Sequence, residues 1–279
     1  MNKLLKANFS RLKSETSLWL VAGSTLGIVI AFVLDRGMIS RNPNYDGAEI
    51  TLNSVMFEFL PFIGLLFAVF TAPYIGKEYS DKTMRNKLIV GHKRENIYIS
   101  NYIICFVGSL FIYAMLLVGG FAVGIPFLGS WQGDISTLIT YILMGVFFTA
   151  SLASVLTMLC MLCSKRSVSA VACVILALGL MILASSIYNA LSEPEMTREL
   201  ISYTVDGVEL GDPVPNPMYV GGFKRTVCEF LVQFLPTGQG ILIANEEVTH
   251  PVLNIIYSMA TTVIVNFCGI IAFKKKDLK

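Results

Sequence analysis

The sequence predicts an all-α integral membrane protein of six transmembrane helices. Both termini are placed inside, with an interfacial helix at the N-terminus and a re-entrant outer segment before the last helix. Three observations predict this. Of 279 residues, 54% are hydrophobic and 14% charged, against about 25% charged in an ordinary soluble domain, and the mean hydropathy is +0.67. The apolar residues gather into six blocks, each near or above the roughly 20 residues that a helix needs to cross a hydrocarbon core about 30 Å thick. The basic residues sort into alternate connecting segments: 16 of the 21 fall in the segments that this topology places inside, and 14 of the 19 acidic residues fall outside or at the outer rim. Lys and Arg are retained on the cytoplasmic side, which fixes the expected orientation.

The elements run in order, as a single six-span domain over 1–279. In 1–14, Leu5, Phe9 and Leu12 recur at i, i+4 and i+7 with Lys3, Lys6 and Lys13 elsewhere around the helix, the pattern of an amphipathic helix lying in the membrane interface. The first block, Leu18 to Leu34, is followed by Asp35 and Arg36 and lacks a small-residue cleavage site, so it reads as a retained span rather than a signal peptide. The second runs from Val55 to Ile75. It contains Glu58, about one turn from its outer end, read either as an interfacial carboxylate reaching headgroup water or as a polar contact in an outward vestibule.

Residues 77–96 form the first inner loop, KEYSDKTMRNKLIVGHKREN. Glu78 with Lys82, and Asp81 with Arg85, stand at i, i+4, which predicts a short solvent-facing helix ended near Gly91. The remaining spans are Ile97 to Phe127, Ile135 to Cys163, Val168 to Tyr188 and Val252 to Phe273. Small residues recur every four at Gly23 and Gly27, at Gly120 and Gly124, and at Ser169, Cys173 and Ala177. Such stripes allow close helix approach, either within the bundle or between two copies.

The outer segment 189–251 has two parts. Ile201, Tyr203 and Val205 alternate with polar residues up to Asp206-Gly207, and Val208 and Leu210 continue the period, so a β-hairpin is expected. Pro213, Pro215 and Pro217 then impose extended backbone. In CEFLVQFLPTGQGILIAN the apolar run breaks at Pro236-Thr237-Gly238, and each side is too short to span. Two short helices dipping into the outer leaflet are expected, or else an amphipathic helix on the outer surface.

Several chemistries find no residues. No GxxxxGK[ST] segment exists, so the chain has no P-loop of its own. His92 and His250 lie outside the spans, and the single pair Cys160/Cys163 has no partner pair, so neither a metal nor a redox site is expected. The six cysteines lie mostly in apolar blocks and imply no disulfide scaffold. A net charge of +2 argues against a nucleic-acid partner. The spans offer only scattered Ser, Thr, Asn101 and Asn266, where a membrane-integral enzyme would need a polar constellation, and a non-transporting sensor or assembly subunit is the second alternative to transport.

The N-terminal NKLLKANFSRLK, the six spans, the inner loop GKEYSDKTMRNKLIVGHKRENIYISN and the LPTGQ turn before the sixth span together resemble the ABC-2 type permeases of bacterial exporters. Among these the chain is similar to small permeases of bacteriocin or lantibiotic immunity and bacitracin-type resistance. The resemblance implies a coupling helix in the first inner loop that docks on a separate ATPase, with Glu78, Tyr79, Asp81, Lys82, Thr83, Arg85 and Leu88 on the coupling segment. It also implies a re-entrant turn at Pro236, Thr237, Gly238 and Gln239. Lys82 departs from the pattern, since glycine is frequent before the threonine. The implied partners are two copies of an ATP-binding subunit, a second permease copy or homologue, membrane lipid and an amphipathic cargo. No cofactor is implied in this chain; ATP and Mg belong to the partner ATPase. The implied location is the bacterial plasma membrane.

Overall fold

The computed structural model describes residues 2–42, 45, 47, 49–204 and 207–277. Among the described residues six stretches are long and apolar enough to cross a membrane. They are α2 (Thr16–Ser40), the stretch Leu52–Ser80, α6 (Arg94–Leu128), α7 (Ile135–Leu162), α8 (Arg166–Ser192) and α11 (Pro251–Lys275). The second stretch is not one helix as its sequence suggests. It divides into α3 (Leu52–Met56), a 3-10 turn Leu60–Phe62 and α4 (Ile63–Ser80), because Pro61 fixes φ and removes a donor within the first turns. Helix α2 is longer than its apolar block, so Asp35 and Arg36 sit in its last turns. Arg36 there donates to Glu58 at 3.1 Å, which satisfies the charge at the end of the span.

Packing centres on the second stretch, 61% of whose most apolar window is buried, against 22% for α8 and 11% for α11. Phe67, Phe70 and Tyr74 of α4 are fully enclosed. Phe70 lies so close to α6 that a Cβ at Gly108 would sit 2.3 Å from its ring, so only glycine permits this contact. The small-residue stripes divide between the two uses open to them. Gly120 and Gly124 face Met56 and Leu52, and Ser169, Cys173 and Ala177 are buried in the bundle. Gly23 and Gly27 meet nothing within 4 Å and lie on the outer face of α2.

The first helix and the finish of the last helix lie at one end of the bundle. Helix α1 (Asn2–Lys13) docks along α6 there, beside the start of α2, where Trp19 Nε1 donates to the Lys13 carbonyl at 2.8 Å. Its docked face is Leu4, Asn8 and Leu12, with Leu5 and Phe9 flanking and Lys3, Lys6 and Lys13 exposed. The sequence placed that face on Leu5, Phe9 and Leu12; Leu12 lies in it, while the polar Asn8 shifts the rest because it has partners inside the protein. At the same end Arg94 donates to the carbonyls of Phe273, Lys274 and Lys276, which anchors the finish of α11 to the start of α6.

At the opposite end an antiparallel hairpin joins β1 (Met196–Thr204) and β2 (Gly207–Pro215). The predicted hairpin is present, with irregular register between Arg198 and Ser202, and Pro213 and Pro215 continue β2 against Arg198 and Met196. The turn residues Val205 and Asp206 lie outside the described residues. Then α9 (Gly222–Phe234) and α10 (Pro236–Ala244) meet at a 90° bend. Helix α10 packs against α3 and the 3-10 turn, so the pair enters and leaves at one end, as a re-entrant elbow does.

Candidate functional site

The charged loop after α4 builds a buried polar cluster that contains a carboxylate. Helix α4 ends at Ser80, Lys82 adopts φ +55°, and α5 runs over Thr83–Ile89. A left-handed residue is the cheapest way to turn one helix sharply into the next, and glycine enters that region without strain. This explains physically why glycine suits the Lys82 position. Thr83 Oγ1 donates to the Glu78 carbonyl at 3.1 Å, covering an open carbonyl at the end of α4. Helix α5 closes where expected: Gly91 takes φ +93°, its N–H donates to Leu88 at 2.9 Å, and His92 N–H donates to Lys87 at 3.1 Å.

The break between the helices changes the expected pairing. Among the described residues neither Glu78 and Lys82 nor Asp81 and Arg85 form an ion pair, because the i, i+4 geometry does not survive the turn. Glu78 is instead buried, and its Oε1 accepts from Arg11 of α1 and Lys87 of α5. Asn101 of α6 donates to Oε2 at 2.9 Å. Asn8 extends the network: its Nδ2 donates to Ser100 at 2.7 Å and Asn101 Oδ1 at 3.3 Å, its Oδ1 accepts from Lys87 at 3.1 Å, and its carbonyl accepts from Tyr74 at 3.2 Å. The Arg11 guanidinium also lies 3.9 Å from the centre of the Tyr74 ring.

These charges hold one another. Burial lowers the pKa of the Lys87 amine, and the attraction of Glu78 only partly offsets it. For Arg11, burial pulls down most strongly, but Glu78 and Tyr74 together outweigh it and leave the guanidinium above its ordinary range. A carboxylate in such surroundings is tolerable only while its partners stay. The cluster therefore joins α1, α4, α5 and α6 through one carboxylate.

The remaining loop residues separate into two sets. Tyr79 faces inward, its hydroxyl donating to the Met161 carbonyl at 2.5 Å and accepting from Lys276 Nζ at 2.9 Å. Burial pushes the Lys276 amine down to about 8. Thr83 and Leu88 are half-buried. Asp81, Lys82 and Arg85 are exposed, and beside them stand two residues that the sequence reading passed over, Ile89 and Val90, 73% and 77% exposed. Their signal was an apolar pair just before a glycine inside a charged loop.

The elbow at the other end is fastened on three sides. Pro236, Thr237, Gly238 and Gln239 are all buried. Thr237 Oγ1 donates to the Leu180 carbonyl at 2.9 Å, about midway along α8. Gln239 donates to the carbonyls of Gln233 at 2.8 Å and Asn254 at 3.0 Å and accepts from Ser258 at 2.7 Å. A Cβ on Gly238 would lie 2.2 Å from the Val232 carbonyl oxygen, a backbone atom. Gly238→Ala should therefore splay α9 from α10 and lower stability by about 1–3 kcal/mol, measured as reduced thermal stability of the purified protein; an unchanged transition would mean that the elbow is loose. Nearby, Glu58 is half-exposed in its ion pair with Arg36 and borders a cavity of about 390 Å³ that Asn245 and Ser54 also line.

Cys160 lies 3.2 Å from Cys173 of α8 rather than facing Cys163, and both are buried. Among the described residues no group of His, Cys, Asp and Glu could hold a metal ion.

The model of the family described as ABC-2 family transporter protein matches residues 4–186. The chain belongs to the ABC-2 transporter family. It is a multi-pass membrane protein and a permease component of an ABC transporter, working with an ATPase subunit. The match takes in α1 through most of α8, and with them the whole Glu78 cluster and α5, and it stops before the hairpin and the elbow. No curated protein matches the chain.

Proposed function

We propose that this ABC-2 permease is the transmembrane half of an ATP-driven exporter, moving an amphipathic or hydrophobic cargo (a peptide, an antibiotic or a lipid-like molecule) out of a bacterial cell. It pairs with a second permease copy or homologue and with two copies of an ATP-binding subunit that carries ATP and Mg. The observation that carries the reading is α5. It presents Arg85 and Ile89 outward, with Asp81 before it and Val90 just after it also exposed, while Lys87 ties it through Glu78 to α1, α4 and α6. A face with an apolar centre and a charged rim suits a docked protein partner, and the clamp behind it gives that partner leverage on the bundle. The uneven distribution of basic residues supports placing α5 in the cytoplasm. The uncovered Gly23/Gly27 face of α2 is available to the second permease. Similarity to bacteriocin-immunity permeases favours a peptide cargo.

The test is reconstitution with the cognate ATP-binding subunit in sealed vesicles. ATP-dependent movement of an amphipathic peptide, with hydrolysis stimulated by that peptide, is expected. Vanadate-sensitive hydrolysis by the isolated chain would overturn the division of labour, and a complex that binds peptide without moving it would favour a sensor.

A further inference from the structure

A cleft of about 740 Å³ lies between α4 and α8 at the end of the bundle that carries α5. Its deep part is lined by Val69, Ala72 and Val174, and its mouth by Ser164, Lys165, Arg166 and Ser167. Along α4 it extends from Ser80 to Ala68, roughly 18 Å at 1.5 Å per residue. That reaches past the interface into the hydrocarbon core, a depth suited to an acyl chain rather than to a soluble partner. The mouth is cationic and unneutralised. Among the described residues no carboxylate lines it, and neither the Lys165 nor the Arg166 side chain makes an ion pair or hydrogen bond with any of them. Arg166 is also held in place, since its stem presses on α4 where a Cβ on Gly76 would sit 2.8 Å from Arg166 Cγ. The first turn of α8, which has no side-chain cap, adds open N–H groups to the same mouth.

We propose that this cleft holds an anionic glycerophospholipid from the adjoining leaflet, its phosphate between Lys165 and Arg166 with the serine hydroxyls, and one acyl chain along Val69, Ala72 and Val174. A zwitterionic lipid fits less well, because its ammonium would meet two cations and no carboxylate. The site rests on membrane insertion alone and not on the coupling role of α5, so either can fail without the other.

Native mass spectrometry of the purified, delipidated full chain titrated with phosphatidylglycerol or phosphatidylcholine tests this. One tightly held phosphatidylglycerol is expected, and K165Q/R166Q should weaken it about tenfold or more, given the attraction of each cation for an anionic headgroup. Phosphatidylcholine should bind more weakly and be indifferent to that change. Val69→Trp, which fills the apolar part from an exposed position and leaves both charges in place, should weaken phosphatidylglycerol similarly. Glycerol 3-phosphate should not displace the lipid. The proposal is overturned if folded K165Q/R166Q or V69W binds phosphatidylglycerol like the wild type, if the two lipids bind alike, or if glycerol 3-phosphate competes at equal concentration.

Discussion

Glu78→Gln is expected to cost the protein about 3 kcal/mol, the low end of the loss incurred when one partner is taken from a buried ion pair. The change preserves shape and leaves Arg11 and Lys87 close together without their counter-charge. Some relief comes from solvent, since their side chains are 25% and 15% exposed while that of Glu78 is 0% exposed. Against a total stability of about 5–15 kcal/mol the loss is large, and the thermal midpoint in detergent should fall by roughly 10 °C. Lys87→Met should cost less, because Arg11 and Asn101 still serve the carboxylate. The double change E78Q/K87M should be less damaging than the sum of its parts, since it removes a cation along with the anion. If E78Q melts within a degree or two of the wild type, the cluster is not a clamp. A surface coupling charge at Glu78 would give the reverse outcome, lost coupling with stability intact.

That difference marks how far the sequence reaches. The six spans, the hairpin, the end of α5 at Gly91 and the break at Pro236 were legible because each comes from local rules: apolar length, period two, or a residue that forbids helix. The partner of Glu78 was not. Lys82 offers an i+4 charge, but its left-handed backbone ends the helix between them, and the actual partners come from positions 11 and 87. Identical spacing also hid opposite surroundings, as Gly23 and Gly27 face outward while Gly120 and Gly124 receive side chains of α3. Periodicity reports that a helix has a face without saying whether lipid, a neighbouring helix or a second chain covers it. The face of α1 shows the same limit, since a hydropathy pattern cannot reveal that Asn8 has four partners inside the protein. The elbow was placed by its proline, but the reason for Gly238 and Gln239 emerges only when α9, α10 and α11 are brought together.

Ile89→Asp/Val90→Asp is expected to leave the protein folded and to abolish productive contact with the ATP-binding subunit. The two side chains are 73% and 77% exposed and contribute little to the interior, so thermal stability should stay within about 0.5 kcal/mol of the wild type, as for surface changes away from packed features. Burying both against a partner would contribute about 1.5–3 kcal/mol each, and placing a carboxylate in the apolar centre of the contact adds a desolvation cost. Affinity should fall at least 100-fold, seen as loss of the ATPase on co-purification and loss of ATP-dependent transport in vesicles. Exchanging Asp81 with Arg85 provides the graded comparison. Both residues are exposed rim charges, whose replacement acts mainly on the association rate and its salt dependence, so the exchange should weaken assembly several-fold at low salt and less at high salt. The Glu78 cluster is untouched in both variants, which keeps failure to dock separate from failure to fold. A stable I89D/V90D protein that still recruits its ATPase and transports at the original rate would remove α5 from the contact, and the force would then have to enter the bundle elsewhere.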